Sequence, residues 1–174
     1  MKLTRRKRLL FALFGLILLI LIPTLLSRQQ KTSAGSATLY FGSPPTKLYL
    51  GQSFPIEVRL RARDTPADAV GLILKYDPHA FDVLAMSTDH SSCTFYTENS
   101  FDTIHGEVHL SCGIPHPGFT GDSTLLTLQM RSKRVGTQTI QFDPSQTNIL
   151  ADDGKGSHLS FSLPELIIPV VPST

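Results

Sequence analysis

Three short stretches of this chain carry side chains of the kinds that do chemistry. Gly121-Asp122-Ser123 sets a hydroxyl beside a carboxylate after a flexible glycine, and Asp102 precedes His105 by three positions. Serine, histidine and aspartate are the residue types of nucleophilic hydrolysis. A Gly-Asp-Ser lead-in to an alternating strand over residues 124–130 accounts for the same residues, and no helical pattern follows to support a catalytic serine. His105, Glu107 and His109 are spaced by two, so on a strand they project from one face as zinc ligands would. A solvated polar face explains them too, and no fourth ligand is identifiable, although His116 is not far along the chain. Asp152-Asp153-Gly154-Lys155-Gly156 offers oxygen donors for calcium but lacks the alternating ligands and terminal glutamate of an EF-hand loop, and reads as a tight turn. No carboxylate pair suited to glycoside hydrolysis stands out. The expectation is a protein that is not an enzyme and needs no metal or cofactor.

The elements that position these residues are strands. Val70, Leu72, Leu74 and Tyr76 alternate on one face until Asp77-Pro78 stops the ladder, because proline has no N–H to donate, and Phe81, Val83 and Ala85 resume it. Upstream, Phe54, Ile56, Val58, Leu60 and Ala62 alternate with Pro55, Glu57, Arg59, Arg61 and Arg63, giving one buried and one charged face. The pattern returns at Phe95 with Thr97, Val108 with Leu110, Leu126 with Leu128 and Met130, Ile140 with Phe142, and Leu159 with Phe161 and Leu163. Glycine, proline and aspartate punctuate the gaps, and no apolar stripe of helical period persists. The predicted fold class is all-β: a nine-stranded jelly-roll or Greek-key β-sandwich.

Cys93 and Cys112 stand symmetrically about a turn near Asp102 and Thr103, so in a simple hairpin they face one another. Cys93 keeps phase with Phe95, and Cys112 with Val108 and Leu110, so both are expected inside. A disulfide between them is the favoured reading, with two buried thiols as the alternative.

Ahead of the sandwich, residues 1–8 carry Lys2, Arg5, Arg6, Lys7 and Arg8, and residues 9–26 carry no charge. Fourteen of those eighteen are Leu, Ile or Phe, which favours insertion by about 4 to 8 kcal/mol, and as a helix they rise about 27 Å. One N-terminal transmembrane helix is expected, serving as a signal anchor with the basic end cytoplasmic. A cleaved signal peptide is the alternative, though the small residues Ala34 and Ala37 come late for a cleavage site. Residues 27–37 read as a polar linker and 38–172 as the extracytoplasmic domain. The formal charge of +2 misleads, because without the five basic residues of the cytoplasmic end the exported part is slightly acidic by count. Nothing points to nucleic acid.

Two resemblances bear on function. The Gly-Asp-Ser block with Asp-x-x-His resembles the GDSL hydrolases, but in that family the Asp-x-x-His block follows the serine in an α/β fold, whereas here it comes first. The second is broader. Gly51-Gln-Ser-Phe-Pro-Ile-Glu-Val-Arg-Leu60, Val70-Gly-Leu-Ile-Leu-Lys-Tyr-Asp-Pro78 with Phe81-Asp-Val83, Gly106-Glu-Val-His-Leu110, Gly121 with Leu125-Leu-Thr-Leu128, Gly136-Thr-Gln-Thr-Ile-Gln-Phe142 and Ile149-Leu-Ala-Asp-Asp-Gly154 come in an order that resembles the cohesin family. Carbohydrate-binding modules of the same sandwich superfamily share it.

That resemblance implies a nine-stranded jelly roll that binds proteins, typically calcium-loaded dockerin modules, and tethers polysaccharide-degrading enzymes to a scaffold or cell surface. It implies a partner surface on the sheet of strands 70–76, 93–98 and 107–112, where the phase turns Ile73, Lys75, Tyr96, Glu107 and His109 outward. Ile73 and Tyr96 are the expected apolar hot spot. The chain departs from the family's scaffolds in having a single domain on its own anchor, and it has no dockerin-like calcium repeat, so only the receptor role applies. A carbohydrate-binding module would use exposed aromatics such as Tyr40, Tyr49 or Tyr96, but the absence of tryptophan weakens stacking on sugars. An envelope or pilus-like subunit is the remaining alternative.

Overall fold

The computed structural model describes residues 35–173. The expected cytoplasmic segment 1–8, the transmembrane anchor 9–26 and most of the linker 27–37 lie outside these residues.

Among the described residues there are eleven strands rather than nine: β1 Ser36–Gly42, β2 Leu48–Tyr49, β3 Ser53–Tyr76, β4 Phe81–Ser87, β5 Phe95–Asp102, β6 Glu107–Gly113, β7 Phe119–Ser132, β8 Gly136–Phe142, β9 Asn148–Ala151, β10 Ser160–Ser162 and β11 Leu166–Val171. The alternating runs around Phe54 and Val70 form one 24-residue element, and the run at Leu159, Phe161 and Leu163 shortens to β10. The strands beyond the named runs are β1, β2, β9 and β11.

β3 serves both layers. Its first half lies between β1 and β7, with Leu60 opposite Leu39 and Ile56 opposite Leu128. Its second half pairs with β6 on one side, Leu72 opposite Leu110, and with β8 and β9 on the other. Between Ala62 and Ala67 the register with β7 shifts. Pro66 has no N–H for a ladder at that point, and its carbonyl instead accepts from Asp152 N at 2.9 Å. The first sheet therefore runs β10-β1-β3-β7-β4, and the second β5-β6-β3, then β8 and β9, then β11 and β2.

The core between the sheets follows the alternation. Phe54, Ile56, Val58, Leu60 and Ala62 are buried, as are Val70, Leu72, Leu74 and Tyr76, and Leu126, Leu128 and Met130. Phe54 meets Phe81 edge-on, their ring centroids 5.7 Å apart, which docks β4 against the start of β3 after the Asp77-Pro78 corner. That corner is held by Asp77, whose Oδ1 accepts from His79 N at 2.8 Å. Asp153 closes the 152–156 turn in the same way, accepting from Lys155 N at 2.8 Å.

Candidate functional site

The β5–β6 hairpin decides what the outer face of the second sheet presents. Asp102 pairs with Glu107, Phe101 with Val108 and Glu98 with Ser111, then a bulge at Thr97 shifts the register so that Tyr96 pairs with Cys112 and Phe95 with Gly113. Residues opposite one another across an antiparallel pair share a face. Cys112 is buried, so Tyr96 faces inward, packed against the core with its hydroxyl donating to the Cys93 carbonyl at 3.2 Å. Phe95 is turned out and 57 % exposed. The expectation that Phe95 is inside and Tyr96 outside is thus inverted, because one extra residue flips the faces of everything beyond it.

The expected disulfide is present between Cys93 and Cys112, although not by the simple hairpin alignment. Cys112 has Tyr96 as its cross-strand neighbour, and Cys93 reaches it from the loop before β5, with the Cα atoms 5.8 Å apart.

Of the five residues expected to turn outward, Lys75, Glu107 and His109 share the outer face. Lys75 lies opposite Glu107 across β3 and β6, its Nζ 3.6 Å from that carboxylate and 2.8 Å from Asp143. His109 places Nδ1 3.2 Å from Glu98 and Nε2 3.1 Å from Glu107. Ile73 is on this face too, but at 9 % exposure it is covered. The Asp143 N–H donates to its carbonyl at 2.8 Å and brings the segment after β8, with buried Thr147, alongside. Ile73 is therefore covered, and Tyr96 is partly buried with its side chain packed against the core. In their place the face offers Phe95 on β5, with Ile167 of β11, 54 % exposed, at the opposite side. Sequence reasoning missed both, along with Glu98 and Asp143. For Phe95 the one available signal was Gly113, the cross-strand position that leaves room for the ring.

The electrostatics of this face are lopsided. Lys75 and Ser145 hold the Asp143 carboxyl far below the usual carboxylate range, and Asp143 in turn raises the Lys75 ammonium. At the hairpin tip, His105 Nδ1 lies 2.6 Å from Asp102. The pairing and the backbone N–H groups of His105 and Ile104 lower Asp102 to about 2, and Asp102 raises His105 above its ordinary value. Thr139, Gln141 and Glu165 line a shallow polar depression beside Lys75.

The candidates for catalysis and metal binding fall apart in space. Asp122 accepts from the Tyr40 hydroxyl at 2.6 Å and lies 3.0 Å from Arg59 and 2.7 Å from Arg61 on the outer face of the first sheet. The Tyr40 hydroxyl and the two guanidinium groups depress its carboxyl to about 2. Ser123 donates to the Thr124 carbonyl at 3.2 Å, so the Gly-Asp-Ser block is part of an ion-paired strand surface, while Asp102 and His105 belong to the second sheet. His105 turns to Asp102 and His109 to Glu98 and Glu107. Among the described residues no group of three His, Cys, Asp or Glu could hold a metal ion. The aromatic row of a sugar platform is likewise not assembled. Tyr40 belongs to the first sheet, Tyr96 faces the core, and Tyr49 sits on β2 with Lys47 5.0 Å from its ring centre.

No protein-family model matches the chain, and no curated protein matches it. Solved structures do. The chain is similar to the cohesin module of a family 33 glycoside hydrolase from Clostridium perfringens, with 14 % identity and a TM-score of 0.61, covering 82 % of this chain and 100 % of that one. It is similar to a non-cellulosomal cohesin from the archaeon Archaeoglobus fulgidus, with 14 % identity and a TM-score of 0.61 over 79 % of this chain and 92 % of that one. It is also similar to a type I cohesin–dockerin complex from Clostridium thermocellum, with 15 % identity and a TM-score of 0.63 over 82 % and 99 % of the two chains. Residues 35–173 have a cohesin-like fold.

Proposed function

We propose that this chain is a non-enzymatic, cohesin-like docking module that receives a protein partner on the outer face of the β5-β6-β3-β8 sheet. By analogy the partner is of the dockerin type, and the setting is a polysaccharide-related assembly at the cell surface. Residues 9–26 hold the module in the cytoplasmic membrane as a single pass, with the N-terminus inside and the sandwich outside. The fold carries the reading, since structural neighbours of this chain are cohesins in complex with dockerins. Fold does not fix function by itself. What adds to it here is a broad open face where Lys75, Glu107, His109, Glu98 and Phe95 come together without a catalytic constellation among the described residues.

The test is capture from the native organism's membrane and secreted fractions with the full-length chain as bait, beside a Glu107→Lys, His109→Ala variant. A defined protein held by the parent and released by the variant is the expected result. If the variant retains the same protein, or only a polysaccharide array retains the chain, docking through this face is wrong. The carbohydrate-binding reading has less support, because Tyr40, Tyr49 and Tyr96 do not share a surface. Assembly into an envelope or pilus-like array has no specific observation in its favour.

A further inference from the structure

All fourteen Asp and Glu of the chain fall within the described residues, against nine of its sixteen Lys and Arg. The excess is unevenly spread. On the outer face of the first sheet each carboxylate is answered by a cation: Glu57 by Arg59, Asp122 by Arg59 and Arg61, and Asp82 by Arg131 and Lys133. On the outer face of the second sheet Glu98, Asp102, Glu107, Asp143 and Glu165 lie around Lys75, which is already engaged by Asp143 and Glu107, while Asp77 in the same depression is answered by Arg134. His105 and His109 are the remaining partners there, facing Asp102 on one side and Glu98 and Glu107 on the other. A face with a net excess of one sign favours a partner of the opposite sign.

Beside these carboxylates lies one large apolar side chain held in a fixed place. The Phe95 ring lies over Gly113, on ground that any larger residue at 113 would take from it, and the ring is 57 % exposed. A half-exposed aromatic with its backbone held in a ladder loses little entropy when a partner side chain covers it. Glu98 follows three residues later on the same strand and the same face.

We propose that the partner of this face presents a lysine- or arginine-bearing surface, its cations set against Glu98, Asp102 and Glu107 and an apolar side chain seated on Phe95. This rests on the docking reading and adds the chemistry of the partner to it. An acidic or purely apolar partner fits less well, because it leaves desolvated carboxylates without counter-charge.

The experiment uses the full-length chain in nanodiscs of zwitterionic lipid, with empty discs subtracted. It is titrated with two synthetic amphipathic helical peptides that share one leucine stripe, flanked in one by lysines and in the other by glutamates. The lysine peptide is expected to bind and to weaken about tenfold between low and physiological salt. Glu98→Lys and Phe95→Ser, both at exposed positions, are each expected to weaken it about fivefold to tenfold, and Asp64→Lys, exposed on the bend of β3, to leave it unchanged. Thermal unfolding of each variant checks that the fold is kept. Equal binding of the two peptides, or an equal loss with Asp64→Lys, overturns the proposal. The capture experiment judges the docking reading separately. A partner lost on changing Glu107 and His109 but indifferent to salt and to Glu98→Lys leaves docking standing and this inference fallen. Lysine-selective binding without a captured protein overturns the docking reading, and with it the partner assigned here, and leaves only the charge preference of the face.

Discussion

Phe95 and Gly113 face one another across β5 and β6 on the outside of the sandwich, and the ring of the first covers the backbone of the second. That relationship replaces the Ile73 and Tyr96 pair as the apolar feature of the face. It exists because a single bulge at Thr97 separates Phe95 from the phase of the rest of its strand.

A methyl group at Gly113 competes for the space the ring occupies. Gly113→Ala is expected to displace Phe95 with little loss of fold, about 1 kcal/mol or less, since the ring can swing into solvent. Ring resonances of Phe95 moving in NMR spectra while the unfolding midpoint stays within a few degrees would agree with this. Unchanged Phe95 shifts would not.

Ile73→Asp is expected to destabilise the domain outright, because it places an unpaired carboxylate at a covered site beside Asp143. Circular dichroism and thermal unfolding should show a loss of several kcal/mol. A stably folded variant would mean that the segment after β8 does not cover this position.

The disulfide closes a loop with a sequence separation of 19, for which chain entropy gives about 3 kcal/mol of stabilisation. Cys93→Ser with Cys112→Ser, or reduction of the parent, should lower the denaturation free energy by about that amount. A change under about 1 kcal/mol would show that the unfolded chain gains little from release of this constraint.

Acid should reveal the Asp122 cluster. Its folded-state pKa of about 2 lies below the ordinary aspartate value of 3.8, so the stability it contributes is present above about pH 4 and is lost as the pH falls through 2. Asp122→Asn is expected to be less stable than the parent at neutral pH, with the gap closing toward pH 2. A gap independent of pH would assign the effect to packing instead of charge. At the other sign, Asp102 raises His105 above 6.5, so that pairing is complete below 6.5 while Asp102 stays ionised and fades as the pH rises through the elevated value. In Asp102→Asn the imidazole titration measured by NMR should fall back toward 6.5.

The anchor reading makes its own demand. Full-length protein should stay with membranes through alkaline carbonate extraction, and its N-terminal sequence should begin ahead of residue 9. A mature chain that begins after residue 26 would make the segment a cleaved signal.

Much of the fold was legible from alternation alone. Once one face of β3, β6, β7 or β8 must be dry, a period of two dictates which residues enter, and Leu60, Leu74, Leu110, Leu128 and Ile140 all do. The Asp77-Pro78 corner could also be read locally, since proline ends a ladder wherever it falls. The sandwich class followed from such signals, whereas the cysteine pairing was expected from a hairpin alignment that the bulge at Thr97 displaces. β5 resisted, because it lies at the sheet's margin, paired with β6 alone. Most of its residues are exposed, so no buried row pins its register and burial does not betray the bulge at Thr97. The covering of Ile73 was equally out of reach, because it depends on where the loop after Phe142 comes to rest, some seventy residues along the chain. The inward faces and the turns belonged to the sequence by itself, through local period and backbone chemistry. Which aromatic stands in solvent, which carboxylates share a face and how Cys93 reaches Cys112 were settled only by tertiary structure, because register at a weakly buried edge is set by long-range pairing.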